Sequence, residues 1–222
     1  EVKDRVKQWA TDAAGVPPVR FPRCALPKST VEWVDIVGFS DASCKAYGAC
    51  VYLRTCLAGR IAVHLLTAKS RVAPIRSISV PRLELLGNVV LAKLATSVFE
   101  AIKLDVPIRH VTLFTDSTTC LWWINDNRNE YNQYVHNRIN EISGSFSTSK
   151  WRYVPTNINP ADILSRPISL SKVVGSDLWR HGPAFLRQDE TTWPTWDAVV
   201  APIDADRERK RHTNIKTTAT CA

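Results

Sequence analysis

The chain has 222 residues, a hydrophobic content of 45% and a formal net charge of +8. This length allows one large domain with appendages or two small ones, and the composition is typical of a globular protein with a core. The basic charge indicates a polyanionic partner. No run approaches the ~18 uninterrupted apolar residues of a membrane-spanning helix. The cysteines lack zinc-site spacing, so we expect free thiols in a reducing compartment.

Residues 1–30 contain a stretch rich in proline and basic residues, "VPPVRFPRCALPKS", which we interpret as the end of a preceding module and a linker. The chain contains no methionine, so we expect it to be a fragment of a longer polypeptide. "VEWVDIVGFSDAS" then predicts a strand over residues 34–40. "AYGACVYLRT" and "GRIAVHLLTAKS" predict two more strands, joined by a turn at Ala58-Gly59. Together they predict an antiparallel meander.

The hydrophobic period then becomes helical. From Pro81, "PRLELLGNVVLAKLATSVFEAIK" has apolar residues at steps of three and four, which predicts a long amphipathic helix. Pro81 suits the first helical position, and Ser79 lies just upstream. Pro107 ends the segment, and "RHVTLFTD" predicts a fourth strand.

The remaining elements complete an α/β domain over residues 31–170. "STTCLWWIN", "YNQYVHNRINEIS" and "NPADILSR" predict helices, and "WRYVP" predicts a short fifth strand. The order β-β-β-α-β-α-α-β-α predicts a mixed five-stranded sheet, with three antiparallel strands plus parallel strands, flanked by helices. We expect residues 171–200 to be a tryptophan- and proline-rich extension packed locally, and residues 201–222 to be a basic, disordered linker.

Four acidic residues fall at the ends of these elements. Asp41 ends the first strand, and Asp116 ends the fourth. Glu84 lies one turn into the long helix, and Asp162 opens the last helix. The first and fourth strands can pair in parallel across the helical crossover, which would bring their ends together. Clustered carboxylates raise one another's pKa unless cations are bound, and Mg²⁺ or Mn²⁺ prefers such oxygen ligands.

Each acid also has a structural interpretation when it is taken alone. Asp41 fits a turn, and Glu84 is favourable near the helix dipole. Asp116 can cap the following helix, and Asp162 is a plausible first-turn residue. The metal site is favoured because all four acids occupy suitable elements of one fold in the right order. If Asp116 holds metal, Ser117 or Thr118 caps the helix behind it.

The chain resembles the ribonuclease H domain of LTR retrotransposon polyproteins, most closely those of the BEL/Pao group. The matching stretches span roughly residues 31–190 and are "GFSDASCKAYGACVYLR", "LLTAKSRVAPIRSISVPRLELLGNVVLAKL", "TDSTTCLWWI", "WRYVPTNINPADILSRP" and "LWRHGPAFL". The resemblance implies a ribonuclease H-like fold and hydrolysis of the RNA strand of RNA:DNA hybrids with two Mg²⁺ or Mn²⁺ ions. It implies that the catalytic metal ligands are Asp41, Glu84, Asp116 and Asp162.

The same resemblance implies an upstream reverse transcriptase and a downstream integrase in one polyprotein. Residues 1–30 would be the tail of the polymerase connection, and residues 201–222 a linker towards integrase. We expect a cytoplasmic location in retroelement particles, with the nucleus as the alternative, and no membrane partner. Many ribonucleases H have a histidine before the last catalytic aspartate, but the loop "VPTNINPAD" has none, so we expect slower turnover.

Basic and hydroxyl side chains near the four acids are candidates for nucleic-acid contacts. A solvated basic loop is the alternative interpretation of the cations, which we place in or beside the loop before the long helix. The candidate nucleic-acid-binding residues are Ser43, Lys69, Arg71, Arg82 and Ser117.

Two other enzyme classes fit the sequence less well. An aspartic protease needs Asp-Thr/Ser-Gly, but Asp41 precedes Ala-Ser and Asp116 precedes Ser-Thr. An integrase would use a later glutamate, which leaves Glu84 and Asp162 unexplained. The alternative from another class is a catalytically inactive nucleic-acid-binding ribonuclease H-like domain in a decayed or domesticated element. Retention of all four acids favours the enzyme.

Overall fold

Five strands form one mixed sheet in the computed structural model, which describes residues 2–18, 31–126, 131–196 and 202–209. The sheet order is β3-β2-β1-β4-β5. The first three strands pair antiparallel, and β4 and β5 add in parallel beside β1, which confirms the predicted mixed sheet. The strands are β1 (Trp33–Ala42), β2 (Ala46–Leu57), β3 (Arg60–Val72), β4 (Ile108–Thr115) and β5 (Trp151–Tyr153).

The helices follow the predicted order within residues 31–170, and further helices precede and follow them. They are α1 (Val2–Ala14), α2 (Val80–Ile102), α3 (Thr118–Asn125), α4 (Gln133–Ser143), α5 (Asp162–Ser165), α6 (Leu170–Gly175), α7 (Asp177–His181) and α8 (Ile203–Arg207). Parts of all four predicted segments lie outside the described residues: 1 and 19–30 of the first segment, 127–130 of the domain, 197–200 of the extension, and 201 and 210–222 of the basic end.

Helix α2 forms the core layer on one face of the sheet. Ser79 occupies its N-cap position and a proline lies in its first turn, as predicted. The fully buried Leu85 and Leu91 belong to the larger hydrophobic cluster, with residues of β1 and β2. By length and composition, α2 is also the one candidate membrane span in the described part of the chain. Half of its apolar window is buried inside the fold, as expected for a core helix.

The C-terminal extension covers the opposite face of the sheet instead of packing only on itself. Phe185 and Trp193 join a second buried cluster with Phe39 and Phe114 from the central strands. The rings of Phe39 and Phe114 stack with centroids 5.0 Å apart, and Trp193 lies 5.8 Å from Phe114. Because both faces are covered, nearly every residue of β1 is buried.

The structure corrects the disorder that we predicted for part of residues 201–222. Pro202 precedes α8, in which Ala205 is fully buried. Trp123 of α3 is also fully buried, and its Nε1 donates to the Ala205 carbonyl oxygen at 3.3 Å. Composition predicted disorder because a single small apolar residue gives no periodic signal, although it is sufficient to fill one site on α3.

A buried arginine attaches the extension to the sheet. Arg54 of β2 is 2% exposed, and its Nη1 donates to Asp35 Oδ2 at 2.6 Å. Its Nε and Nη2 donate to the carbonyl oxygens of Leu186 and Gln188 at 2.7 and 2.9 Å. Each donor therefore has a partner, as a buried guanidinium requires.

Replacing Arg54 with methionine is expected to lower the free energy of unfolding by about 1–3 kcal/mol, because two buried carbonyl groups lose their donors while Arg109 still pairs with Asp35. Urea denaturation measures this loss. Arg60→Met is the control, since Arg60 is exposed at the start of β3 and its replacement should change stability by less than about 0.5 kcal/mol. Equal effects of the two substitutions would contradict this role of Arg54.

Candidate active site

The parallel pairing of β1 and β4 brings two of the four predicted acids together. Ser40 and Thr115 are register partners on these strands, so Asp41 and Asp116 follow them on adjacent strands. The predicted proximity of the two strand ends is therefore confirmed. Asp41 is 7% exposed, and Asp116 lies at the first position after β4.

Close packing of α2 against the end of β1 positions Glu84. A Cβ atom at Gly87 would lie 3.1 Å from the Asp41 carbonyl oxygen, so glycine permits this approach. Ser117 Oγ donates to Glu84 Oε2 at 2.6 Å. The same hydroxyl accepts from the Cys120 backbone N–H at 3.1 Å and caps α3, which confirms the predicted cap. Ser117 therefore couples the helix start to the carboxylate.

A second glycine permits the approach of α5, which begins at Asp162. A Cβ atom at Gly48 would lie 2.7 Å from the Lys69 carbonyl oxygen and 3.0 Å from Leu164 Cβ. Helix α5 therefore packs directly on β2 and β3. Ser70 Oγ, on β3, also donates to the Leu164 carbonyl oxygen at 2.8 Å.

Two serines connect α5 to the end of β1. Ser165 Oγ donates to Asp41 Oδ2. Ser43 Oγ, which we predicted to contact nucleic acid, donates to the Ser165 carbonyl oxygen at 2.5 Å. In this structure Ser43 therefore holds α5, and Ser165 is a site residue that the sequence reasoning missed. No sequence signal marks it, because the contact joins residues 124 positions apart.

Buried asparagines form the floor of the site. Ser40 Oγ donates to Asn88 Oδ1 at 2.5 Å, and both residues are at most 1% exposed. Asn159 Nδ2 donates to the Ser40 carbonyl oxygen at 3.0 Å, while its Oδ1 accepts from the Ala161 N–H at 3.1 Å. The sequence reasoning missed Asn159, although asparagine before proline is a known turn signal.

The buried acids of the site influence the ionisation of their acidic neighbours. Burial is the main cause that raises the pKa of Asp41 to about 6, and the Ser165 hydrogen bond partly opposes it. Burial likewise raises the pKa of Glu84 to about 7 against the hydrogen bond from Ser117. It also raises the pKa of Asp116. The negative charges of neighbouring site acids add to all three increases, including that of Asp162 at Asp41 and Asp116.

The donor set is suited to a hard divalent cation. All four side chains offer carboxylate oxygens, which Mg²⁺ and Mn²⁺ prefer. Asp162 Oδ1 is buried without a hydrogen-bond partner, although Arg166 Nε lies 2.7 Å away as an ion-pair partner. Asp41 and Glu84 each accept a serine hydroxyl instead of converging on one point.

A second acidic group lies at the opposite end of the central strands. Within the described ranges, the group whose ligand atoms all lie within 4.8 Å of one another consists of Asp35, His110 and Glu190. Arg54 pairs with both acids, and Arg109 Nη2 lies 2.7 Å from Asp35 and 2.5 Å from Glu190. Two guanidinium groups already neutralise these carboxylates, so this group is an ion-pair network of the fold.

The cationic candidates divide into two sets. Lys69 and Arg71 belong to β3 rather than to the loop before α2, and both are exposed. They line a shallow groove with Lys93 of α2. Arg82 instead forms a bidentate ion pair with Glu208, at 2.6 and 2.8 Å.

Solved structures similar to the chain include two ribonucleases H and one other enzyme. The N-terminal RNase H domain of a Mycobacterium tuberculosis protein, fused with maltose-binding protein, is 14% identical and gives a TM-score of 0.38 over 60% of this chain and 90% of that chain. RNase H1 from Halobacterium salinarum is 16% identical, with a TM-score of 0.34 over 60% and 93%. The PPX-GPPA enzyme of Aquifex aeolicus is 9% identical, with a TM-score of 0.28 over 55% and 36%. Likeness at this level carries no functional argument.

A comparison with curated proteins found no match. The family model described as "Pao retrotransposon-like RNaseH-like domain" matches residues 1–117. This range contains Asp41, Glu84 and Asp116, whereas Asp162 lies beyond it. It also contains residues 1–30, whose assignment to a preceding polymerase module stays a prediction. Because the match spans more than half of the sequence, the chain belongs to the Pao retrotransposon-like RNaseH-like domain family.

Proposed function

We propose that this chain is a metal-dependent endonuclease that hydrolyses the RNA strand of RNA:DNA hybrids during reverse transcription of a retrotransposon. The observation that carries the proposal is that four carboxylates, from four separate elements, lie near the same end of the central strands. Family membership supports a nucleic-acid substrate within a polyprotein. A reverse transcriptase upstream, an integrase downstream and a location in cytoplasmic particles complete the proposal.

Asp41 and Asp116 would hold two Mg²⁺ or Mn²⁺ ions from adjacent strand ends, and Glu84 and Asp162 would complete the ligand set from their helices. Bound ions of this kind supply an activated water and stabilise the leaving oxygen in phosphodiester hydrolysis. The chain orients its ligands through hydroxyl groups, with Ser165 on Asp41 and Ser117 on Glu84. The predicted contact of Ser117 with nucleic acid stays a proposal. Its hydroxyl group already donates a hydrogen bond to Glu84, so a phosphate contact would have to use the oxygen as an acceptor or break this bond.

The loop between β5 and α5 contains no histidine that could donate a proton to the leaving oxygen. Thr156 and Asn159 of this loop instead lower the pKa of Asp116 and so favour its charged carboxylate, against the increase that burial causes. We therefore assign the transferred proton to water and retain the expectation of slow turnover. No described contact specifically favours the inactive binding domain, so that alternative becomes an outcome of the test below.

Asp116→Asn is expected to abolish cleavage of the RNA strand of a labelled hybrid, because the amide removes one charge from the proposed metal ligands. The assay compares the intact chain and the variant in Mg²⁺, Mn²⁺ and EDTA, with circular dichroism to monitor folding. Asp105→Asn, an equal charge change at an exposed loop residue, should cut normally. Cleavage by Asp116→Asn would refute the site, whereas hybrid binding without any cleavage would favour the inactive domain.

The basic residues Lys69 and Arg71 of the groove are expected to contribute to the binding of an RNA:DNA hybrid. Arg71→Gln should weaken binding and reduce the slope of log K against log salt by about 0.9, because one fewer phosphate is neutralised. Fluorescence anisotropy in EDTA measures both quantities. Arg60→Gln removes the same charge from the other end of β3 and should leave the slope unchanged. Equal slopes for both variants would indicate that these cations only protect an edge strand.

The raised pKa values predict how stability without metal depends on pH. Asp41 and Glu84 have pKa values of about 6 and 7 in the folded chain, above those of free carboxyls. Their protonation therefore stabilises the fold at low pH, and this contribution is lost as pH rises through 6 to 7. In EDTA, Asp41→Asn should gain stability over the intact chain as pH rises from about 5 to 8, by roughly 1–3 kcal/mol.

Thermal unfolding at each pH measures this gain, with Asp105→Asn as the control for a surface carboxylate. Mg²⁺ should raise the unfolding temperature of the intact chain more at pH 8 than at pH 5, because ionised carboxylates bind the cation. A stability difference that stays constant with pH would contradict the assigned pKa values.

A further inference from the structure

The segment Pro202–Arg209, which we call the C-terminal strap, docks beside the start of α2. Its backbone carries much of the contact, since the Asn132 N–H donates to the Glu208 carbonyl oxygen at 2.9 Å. Tyr131 and Arg209 form an isolated β-bridge, and Ala205 is buried next to Trp123. The strap therefore has a defined position on the surface formed by α2, α3 and α4.

The Glu208 carboxylate of the strap is bound by Arg82 and Asn132. Arg82 Nε and Nη2 donate to the two carboxylate oxygens at 2.6 and 2.8 Å. Asn132 Nδ2 also donates to Glu208 Oε2. A guanidinium fork that binds a carboxylate in this way also matches two oxygens of a phosphate.

A second guanidinium group lies beside this site and is not satisfied by the strap. Arg82 and Arg138 lie over the same Tyr134 ring, at 4.8 and 4.2 Å from its centroid. Arg138 Nε is buried and has no hydrogen-bond partner. The surface under the strap is therefore cationic, with one carboxylate of the strap set against two arginines.

The strap also places negative charge next to the candidate active site. Arg82 is two residues before Glu84, and Asp204 is close enough to Glu84 to act on its charge. A nucleic-acid backbone that reached Glu84 would have to compete with Glu208 for Arg82 and would also meet Asp204, which pairs with Arg207 of the strap.

We propose that Arg82 and Asn132, with Arg138 beside them, form a subsite for a nucleic-acid phosphate, and that the C-terminal strap blocks this subsite with Glu208. The inference rests on the proposed function, since it assumes a nucleic-acid substrate. A strap that is docked about nine-tenths of the time lowers the apparent affinity for this substrate about tenfold. The strap is thus an autoinhibitory segment of the chain.

Glu208→Gln is expected to bind an RNA:DNA hybrid about tenfold more tightly than the intact chain, because the strap loses its charge on Arg82. Anisotropy in EDTA measures the affinity of the full-length chain. Asp206→Asn is the matched control, since Asp206 lies two residues before Glu208 in the strap and pairs with Arg209 instead of Arg82. Equal tightening by both variants would show a general charge effect and overturn the blocked subsite.

Arg82→Gln completes a double-mutant cycle. It should cost little affinity in the intact chain, where Glu208 already occupies Arg82, and about tenfold in the Glu208→Gln background. Equal costs in both backgrounds would overturn the proposal. If the intact chain and Glu208→Gln bind the hybrid with equal affinity, the autoinhibition proposal is wrong while the nuclease proposal stands. If no variant binds hybrid, both proposals fail.

Hydrogen exchange of the unmodified chain tests the strap without any substitution that can affect folding. Hybrid binding should increase the exchange of the backbone amides of residues 203–209, because the strap leaves its site. Exchange that is unchanged or slower in the presence of saturating hybrid would overturn the proposal.

Discussion

The parallel pairing of β1 with β4 is the contact on which the rest of the structure depends. Parallel neighbours need a long crossover, and α2 supplies it on one face of the sheet. The other face is closed by the C-terminal extension, so both strands lie in the centre of the fold. Their carboxyl ends then emerge at one place, with Asp41 beside Asp116.

The site carries an electrostatic cost that the fold only partly offsets. Burial and mutual repulsion raise the pKa of Asp41, Glu84 and Asp116, while hydroxyl groups stabilise their charged forms. A fold selected only for stability would pair such groups with arginine. Stability is commonly sacrificed in this way where a site must bind a ligand.

The central strand β1 contains one buried acid that is paired with arginine and one that is not. Asp35 is fully paired with Arg54 and Arg109 and attaches the extension to the sheet. Asp41, near the other end of the strand, accepts only neutral side-chain partners from the described residues. The first arrangement leaves no charge for a cation, whereas the second does. Two buried acids of one strand therefore differ in their charged surroundings, and this difference supports the proposed metal ligand at Asp41 rather than at Asp35.

The sequence by itself determined the order of elements within residues 31–170 and the mixed sheet, because hydrophobic periods and turn residues are local signals. It also placed Asp41 and Asp116 at the ends of two strands, and their assignment as metal ligands stays a proposal. Only the tertiary structure decided that the extension covers the second face, that Ser165 contacts Asp41 and that Glu208 occupies Arg82. The last two contacts join residues 124 and 126 positions apart, and no local pattern encodes such pairings.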